Sequence, residues 1–200
     1  MSFAHDGIPE VETQVSTIFD PTYEDIDFDT FINGAEWKTF YGDVTEALPP
    51  NAPDPRGKAV DLGMWVDSEH KGDKMTRRSR TGYFILLNTA LINWLSKKQA
   101  TIEGAVFGAE FVATKTGVEA LRGIRYKLRI MGVPLTGPTY VYGDNMSVIY
   151  NISRPESTLK NKSNSICYHA VRKALATRYC FAHSMVANII DFLLQCRFMP

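Results

Sequence analysis

The sequence predicts an α/β domain: a five-stranded mixed sheet whose first three strands are antiparallel, flanked by helices and preceded by an irregular N-terminal arm. Three observations lead there. After Lys58, three short apolar runs follow one another across turn residues, the pattern of a meander. Apolar residues then recur at spacings of three and four from Ile102 to Leu128, the period of a helix. The remainder alternates strand and helix patterns, which puts the later strands in βα units and makes the sheet mixed.

In chain order, residues 1–57 read as an acidic arm and proline-rich connection, and residues 58–200 as the folded domain. The arm carries scattered aromatics (Tyr23, Phe28, Phe31, Trp37, Phe40, Tyr41) suited to anchoring it on a neighbouring surface, and four prolines within residues 47–57 exclude helix and central strand there. Ala59 to Val66 is a strand with Leu62, Met64 and Val66 on one face, ended by Asp67, and a polar turn around Gly72 follows. Thr81 to Leu87 and Leu91 to Ser96 are the second and third strands, joined by the short hairpin Asn88-Thr89-Ala90. The long helix carries Ile102, Ala105, Val106, Ala109, Ala113, Ala120, Leu121, Ile124 and Leu128, and stops at Gly132 and Pro134. Thr139 to Tyr142 is a fourth strand, and Asn145 caps a short helix through Val148 to Ile152 that Pro155 closes. Residues 164–176 are helical, Tyr179 to Ala182 is the last strand, and Asn188 to Phe198 is an apolar C-terminal helix.

The 200 residues are 44% hydrophobic and 22% charged, which excludes wholesale disorder and fibrous repeats. The best apolar run, Tyr83 to Leu95, is interrupted by Asn88, Thr89 and Asn93, well short of the roughly 20 residues a membrane helix needs; no membrane partner is expected. MSFAHDGIPEVE lacks the apolar stretch of a secretory signal, and three cysteines without a C-x-x-C pair fit a reduced, intracellular protein. The formal net charge of zero conceals a split: twelve acids against two bases in residues 1–57, a balance of −10, and ten against twenty in residues 58–200, a balance of +10. Such asymmetry points to a polyanionic partner for the basic part, or to two halves that neutralise each other across an interface.

Four carboxylates stand where apolar or strand-end residues belong. Asp67 and Asp144 each directly follow an apolar strand, Asp144 at a strand-to-helix switch where open α/β sheets place ligands; each is equally readable as a turn former or cap. Glu110 shares a helix face with Val106, Ala113 and Gly117, so its carboxylate must be salt-bridged or must hold a cation. Glu103, on nearly the same face, reads as a first-turn glutamate favoured by the helix dipole. Asp191 interrupts the apolar run IIDFLL and is either functional or a local cap partner with Asn188. Acids converging at strand ends would form a hard-oxygen cage for Mg²⁺ or Mn²⁺ rather than zinc. Two such ions suit phosphodiester hydrolysis, with the surrounding cations holding the strand.

The stretch VDSEHKGDKMTRRSRTGYFILLNTALINWLSKKQATIEGAVFGAEFVA resembles the ribonuclease H domain of copia-type retrotransposon polyproteins, which read D-x-D/E-x-x-G-D, T-R-R-S-x-S/T-G, I-x-W-x-S-K-x-Q and then a helix with A/S-E-F/Y-x-A. YVYGDNMSVI and STLKNKSNSICYHAVRKAL are similar to the family's later segments, and YGDVTEALPPNAPDPRGKAV to its polymerase connection, so the likeness is dense over about residues 37–176. It implies a ribonuclease H-like fold and endonucleolytic cutting of the RNA strand of an RNA–DNA hybrid during reverse transcription. It further implies two Mg²⁺ or Mn²⁺ ions, a reverse transcriptase domain in cis or in trans as partner, and action in a cytoplasmic virus-like particle or the nucleus. Carried onto this chain, Asp67, Glu110 and Asp144 match the first three metal-binding carboxylates and Asp191 the fourth. His183, eight residues before Asp191, matches the flexible histidine of ribonucleases H that aids product release, its alternative being a cap or surface residue. Lys71, Lys74, Arg77, Arg78, Arg80, Lys97 and Lys98, with Asn145 of the D-N-x-S-V segment, form the candidate nucleic-acid surface; their alternative is a solvated basic face.

The chain departs from the family where Asn164 or Ser165 stands for a common histidine, Lys173 for a glutamate, and LLQCRF for a final T-K-x-L. The span between Arg172 and Asp191 is also short, and polymerase, protease and integrase motifs do not occur. Two readings follow: the active nuclease domain of a polyprotein, or a catalytically inactive remnant that keeps the fold and nucleic-acid binding. The charge split adds a third idea, an arm that folds over the basic surface as an intramolecular competitor.

Overall fold

The computed structural model describes residues 35–159 and 162–184. Five strands make one sheet in the order β3-β2-β1-β4-β5. β1 (Leu62–Glu69), β2 (Arg80–Leu87) and β3 (Ala90–Lys98) are antiparallel neighbours, while β4 (Thr139–Gly143) pairs parallel with β1 and β5 (Cys180–Ser184) parallel with β4. The helices are α1 (Ala35–Tyr41), α2 (Val106–Ile130), α3 (Met146–Ser153) and α4 (Ser165–Ala176). This is the five-stranded mixed sheet expected, with its first three strands antiparallel.

Side chains alternate across the sheet with period two. Leu62, Met64 and Val66 of β1 join Tyr83 and Ile85 of β2, Phe111, Ala113 and Leu121 of α2, and Val171 and Leu175 of α4 in the main core. Each buried aliphatic or aromatic side chain there contributes about 1.5–3 kcal/mol. The opposite face carries a second cluster, Trp65, Phe84, Leu86 and Tyr142. Trp65 stacks on Phe84 with ring centroids 5.0 Å apart and on Tyr142 at 4.9 Å.

Several boundaries differ from expectation. β1 does not stop at Asp67: the ladder continues through Asp67↔Gly82, Ser68↔Thr81 and Glu69↔Arg80. The long helix begins at Val106, after Gly104, with no side-chain cap at Ala105. Ile102 and Val106 are 61% and 47% exposed, so the periodicity overreached at the N-terminal end. Glu103 therefore precedes the helix. Its carboxylate accepts from Thr101 Oγ1 at 3.1 Å and fills the space over Gly108, where a Cβ would meet Oε2 at 2.5 Å. The expected helix at 188–198 lies outside the described residues.

The aromatic part of the connection packs on the domain around a buried cation. Arg172 of α4 is 2% exposed, and none of the described acids pairs with it. Its guanidinium donates to the carbonyl oxygens of Asn151 (2.9 Å), Arg154 (2.8 Å) and Pro155, and Nη1 donates to Tyr168 Oη at 2.6 Å. It thus caps the C-terminal end of α3, where the helix dipole favours positive charge. The faces of Trp37 (5.1 Å) and Tyr168 (4.6 Å) enclose it, and Nε donates to Tyr41 Oη at 3.2 Å. Arg172→Ala would leave several buried carbonyls without a donor. We expect it to lower unfolding free energy by about 3 kcal/mol or more, read as a fall in the urea midpoint, with Arg172→Lys recovering only part because an ammonium cannot reach both rims.

Candidate active site

The pairing of β1 with β4 runs only through Trp65↔Tyr142. Beyond it the strands part, and Asp67 and Asp144 each stand two residues past that last pair. The gap is also where the chain's path through the sheet reverses direction, the usual place for a ligand crevice. Glu110, in the second turn of α2, enters from the core side. One carboxylate oxygen from each of Asp67, Glu110 and Asp144 lies within 4.8 Å of the others. Asp67 and Glu110 are buried and Asp144 is exposed, so the cluster opens to solvent at one corner.

A buried hydrogen-bond network fixes the helix that delivers Glu110. Gln99, at the end of β3, donates through Nε2 to Thr81 Oγ1 (3.1 Å) and to the carbonyl of Ala109 (2.9 Å), and its backbone N–H donates to the carbonyl of Ser79 at 2.8 Å. Thr114 Oγ1 donates to the Glu110 carbonyl at 2.8 Å. Ser68 N–H donates to Asp67 Oδ1 at 2.6 Å. Asn145 is the N-cap expected: its Oδ1 accepts from Val148 N–H at 3.2 Å, which sets the turn holding Asp144.

No arginine or lysine among the described residues pairs with Glu110, so the salt-bridge alternative falls. Burial first, then the Asp67 charge, pushes its carboxyl up to about 8; the neighbouring Ser68 hydroxyl and amide oppose the shift, and Asp144 reinforces it. Three hard oxygens with no sulfur or imidazole among them suit a hard divalent cation.

Lys74, Arg78, Arg80 and Lys98 line a cleft of about 510 Å³ with Glu69, Asp73 and Ser79. Lys98 is ion-paired with Asp73 and is the least available of the four. Lys71 reaches the Gly104 carbonyl at 3.4 Å, while Arg77 and Lys97 are exposed. His183 is not at a helix cap: it sits inside β5 opposite Tyr142, its ring edge-on to the tyrosine at 5.7 Å, and outside the three-acid cluster. Asp191 lies outside the described residues. Sequence reasoning missed Ser68 and Gln99. Gln99 had one available signal, its place as the last residue of the I-x-W-x-S-K-x-Q segment; Ser68 had none once the strand was read as ending at Asp67.

No protein-family model matches the chain. The chain is similar to the retrovirus-related Pol polyproteins from transposons RE1 and RE2 of Arabidopsis thaliana, with 27% and 26% identity over 140 residues, 68% of this chain. It spans 10% of the length of each. These relatives bear out the resemblance read from the motifs. Among solved structures, similar ones include RNase H1 from the archaeon Halobacterium salinarum (10% identity, 62% of this chain and 85% of that one, TM-score 0.48). Others are LC11-RNase H1 in complex with RNA/DNA hybrid (12%, 62% and 85%, 0.49) and the foamy viral protease-reverse transcriptase in complex with RNA/DNA hybrid (11%, 76% and 21%, 0.44).

The raised Glu110 value has a defined pH signature. Below its ordinary value of 4.5 the carboxyl is protonated in both folded and unfolded chains and has no effect. Between there and about 8 the folded chain keeps a proton that the unfolded one has released, so stability falls as pH rises, by up to about 1.4 kcal/mol per unit. Above that the penalty is complete. In chelator, urea midpoints should therefore drop from pH 5 to pH 8.5, and Glu110→Gln should remove that part of the drop.

Proposed function

We propose that this chain is the ribonuclease H domain of a copia-type retrotransposon Pol polyprotein, hydrolysing the RNA strand of RNA–DNA hybrids during reverse transcription. The convergence of Asp67, Glu110 and Asp144 on one point carries the reading. These acids would hold Mg²⁺ or Mn²⁺, and Asp191 is the fourth ligand the reading requires for a second ion. Bound there, the ions supply activation of a water and neutralise charge on the leaving phosphodiester oxygen.

The chain's own residues do the rest. For a cation to be held there Glu110 would release its proton to solvent, a loss that the positive charge would favour. Exposed Asp144 forms the side of the site open to substrate. Lys74, Arg77, Arg78, Arg80 and Lys97 hold backbone phosphates beside the cleft, and His183 serves product release from β5. The partners are the hybrid and a reverse transcriptase domain, in cis or in trans, and the setting is the cytoplasmic particle in which reverse transcription takes place.

The test is cleavage of a labelled RNA–DNA hybrid in Mg²⁺. Asp144→Asn should lower the rate at least about a hundredfold, close to 2.7 kcal/mol of barrier, while hybrid binding persists. A wild-type chain that binds hybrid but never cuts it would leave only the inactive remnant. Replacing Lys74, Arg77 and Arg78 with alanine should weaken hybrid binding in a sequence-independent way and reduce the log–log salt slope by about 1 per cation removed. An unchanged slope would return those residues to the solvated basic face.

A further inference from the structure

A polar group built into the main core beside the acidic cluster calls for a role. β1 alternates: Met64 and Val66 face α2 in the main core, whereas Trp65 joins the cluster on the opposite face. The ladder runs unbroken through Ser68↔Thr81, so Ser68 continues the Met64–Val66 row and faces the helix that carries Glu110. It is 7% exposed. Its amide and hydroxyl both lie against the Glu110 carboxylate and favour its charged form. The amide is already engaged by Asp67 Oδ1 at 2.6 Å. The hydroxyl completes no hydrogen bond of good geometry, although its oxygen is sealed from solvent.

A buried hydroxyl without a partner destabilises the fold that contains it. An alanine would fill the same space without that penalty, so the hydroxyl answers to something other than packing. The adjacent acceptor is the Glu110 carboxylate.

We infer that Ser68 is a positioning residue for the acidic cluster: its hydroxyl is placed to donate to the Glu110 carboxylate and to hold it turned toward Asp67 and Asp144, so that the three acids present their oxygens together to a divalent cation. This rests on the metal-binding reading above and adds to it a residue that touches no substrate.

The experiment compares wild type, Ser68→Ala and Ser68→Thr in three readouts: Mn²⁺ affinity by calorimetry, melting temperature in chelator, and the Mg²⁺ concentration that half-activates hybrid cleavage. Ser68→Ala should weaken Mn²⁺ binding about tenfold, the weight of one charge-assisted hydrogen bond. It should raise the half-activating Mg²⁺ concentration similarly, with the rate at saturating Mg²⁺ nearly recovered. Its melting temperature in chelator should be unchanged or higher, the reverse of what a merely structural serine would show. Ser68→Thr, which keeps the hydroxyl, should restore Mn²⁺ affinity. Wild-type Mn²⁺ affinity in Ser68→Ala overturns the inference, as does a loss of chelator stability without a loss of affinity. A wild-type chain that binds no Mn²⁺ overturns both the inference and the metal-binding reading, whereas an unaltered Ser68→Ala beside a metal-binding wild type overturns the inference alone.

Discussion

Three carboxylates with an oxygen each inside 4.8 Å cannot all stay charged without a counter-charge among them. At an effective dielectric of about 20, each pair at that spacing repels by about 3.5 kcal/mol. Two of the three groups are also buried, which adds a desolvation cost. A folded chain has two ways out: it keeps a proton on one acid or takes up a cation. Glu110, the most deeply placed on the helix side, carries that choice, since burial and Asp67 act on it together. The rest of the domain reads as the apparatus that prevents a third way out, moving the acids apart.

That apparatus is built from opposed elements. The parting of β1 and β4 after Trp65↔Tyr142 opens the gap. The stack of Phe84, Trp65 and Tyr142 beneath it keeps those strands from closing or sliding. On the other face, Gln99 ties the end of β3 to Ala109, the residue before Glu110, so the edge of the sheet and the start of α2 move as one body. α2 lacks a side-chain cap of its own, which makes this tie and the Glu103 carboxylate over Gly108 the features that define where the helix begins. At the far end of the sheet, Arg125 donates to the Gly137 carbonyl and Thr139 Oγ1, both at 3.0 Å, and fixes the entry into β4.

Much of this was legible because it is periodic. The alternation of Leu62, Met64 and Val66 and the three–four spacing of α2 set the sheet and its covering helix, and Glu110 stood out because a charge broke an apolar stripe. Asp67 and Asp144 were visible as acids closing apolar strands. What was not legible depends on partners distant in sequence. The continuation of β1 past Asp67 is dictated by Arg80–Gly82 across the hairpin, and only that continuation assigns Ser68 a face. Arg172 had no recognisable pattern, since its partners are backbone carbonyls and aromatic faces rather than acids. The helix α1 is seven residues long, too short for periodicity to register, and its place comes from Trp37 and Tyr41 closing over Arg172.

The charge split between the arm and the domain acquires a different meaning in the fold. Among the described acids of the connection, Asp43 pairs with Lys38, its near neighbour, at 2.7 Å. Glu46 reaches into the domain, where Arg125 holds it at 2.7 Å and Arg129 at 3.1 Å. The Arg125 and Arg129 guanidinium groups lower the Glu46 carboxyl against the burial that would raise it. Arg125 lies 15 residues beyond Glu110 on the same helix, about 22 Å along its axis. This acid therefore neutralises cations at the end of α2 remote from the three-acid cluster. It leaves Lys74, Arg77, Arg78 and Lys97 uncompensated by the described part of the arm. An arm that competed with nucleic acid would have to set its charge against those four, and Glu46 is instead used to fasten the connection to α2. The described part of the connection thus acts as a structural strap, through Glu46 on Arg125 and Arg129 and through Trp37 and Tyr41 on Arg172.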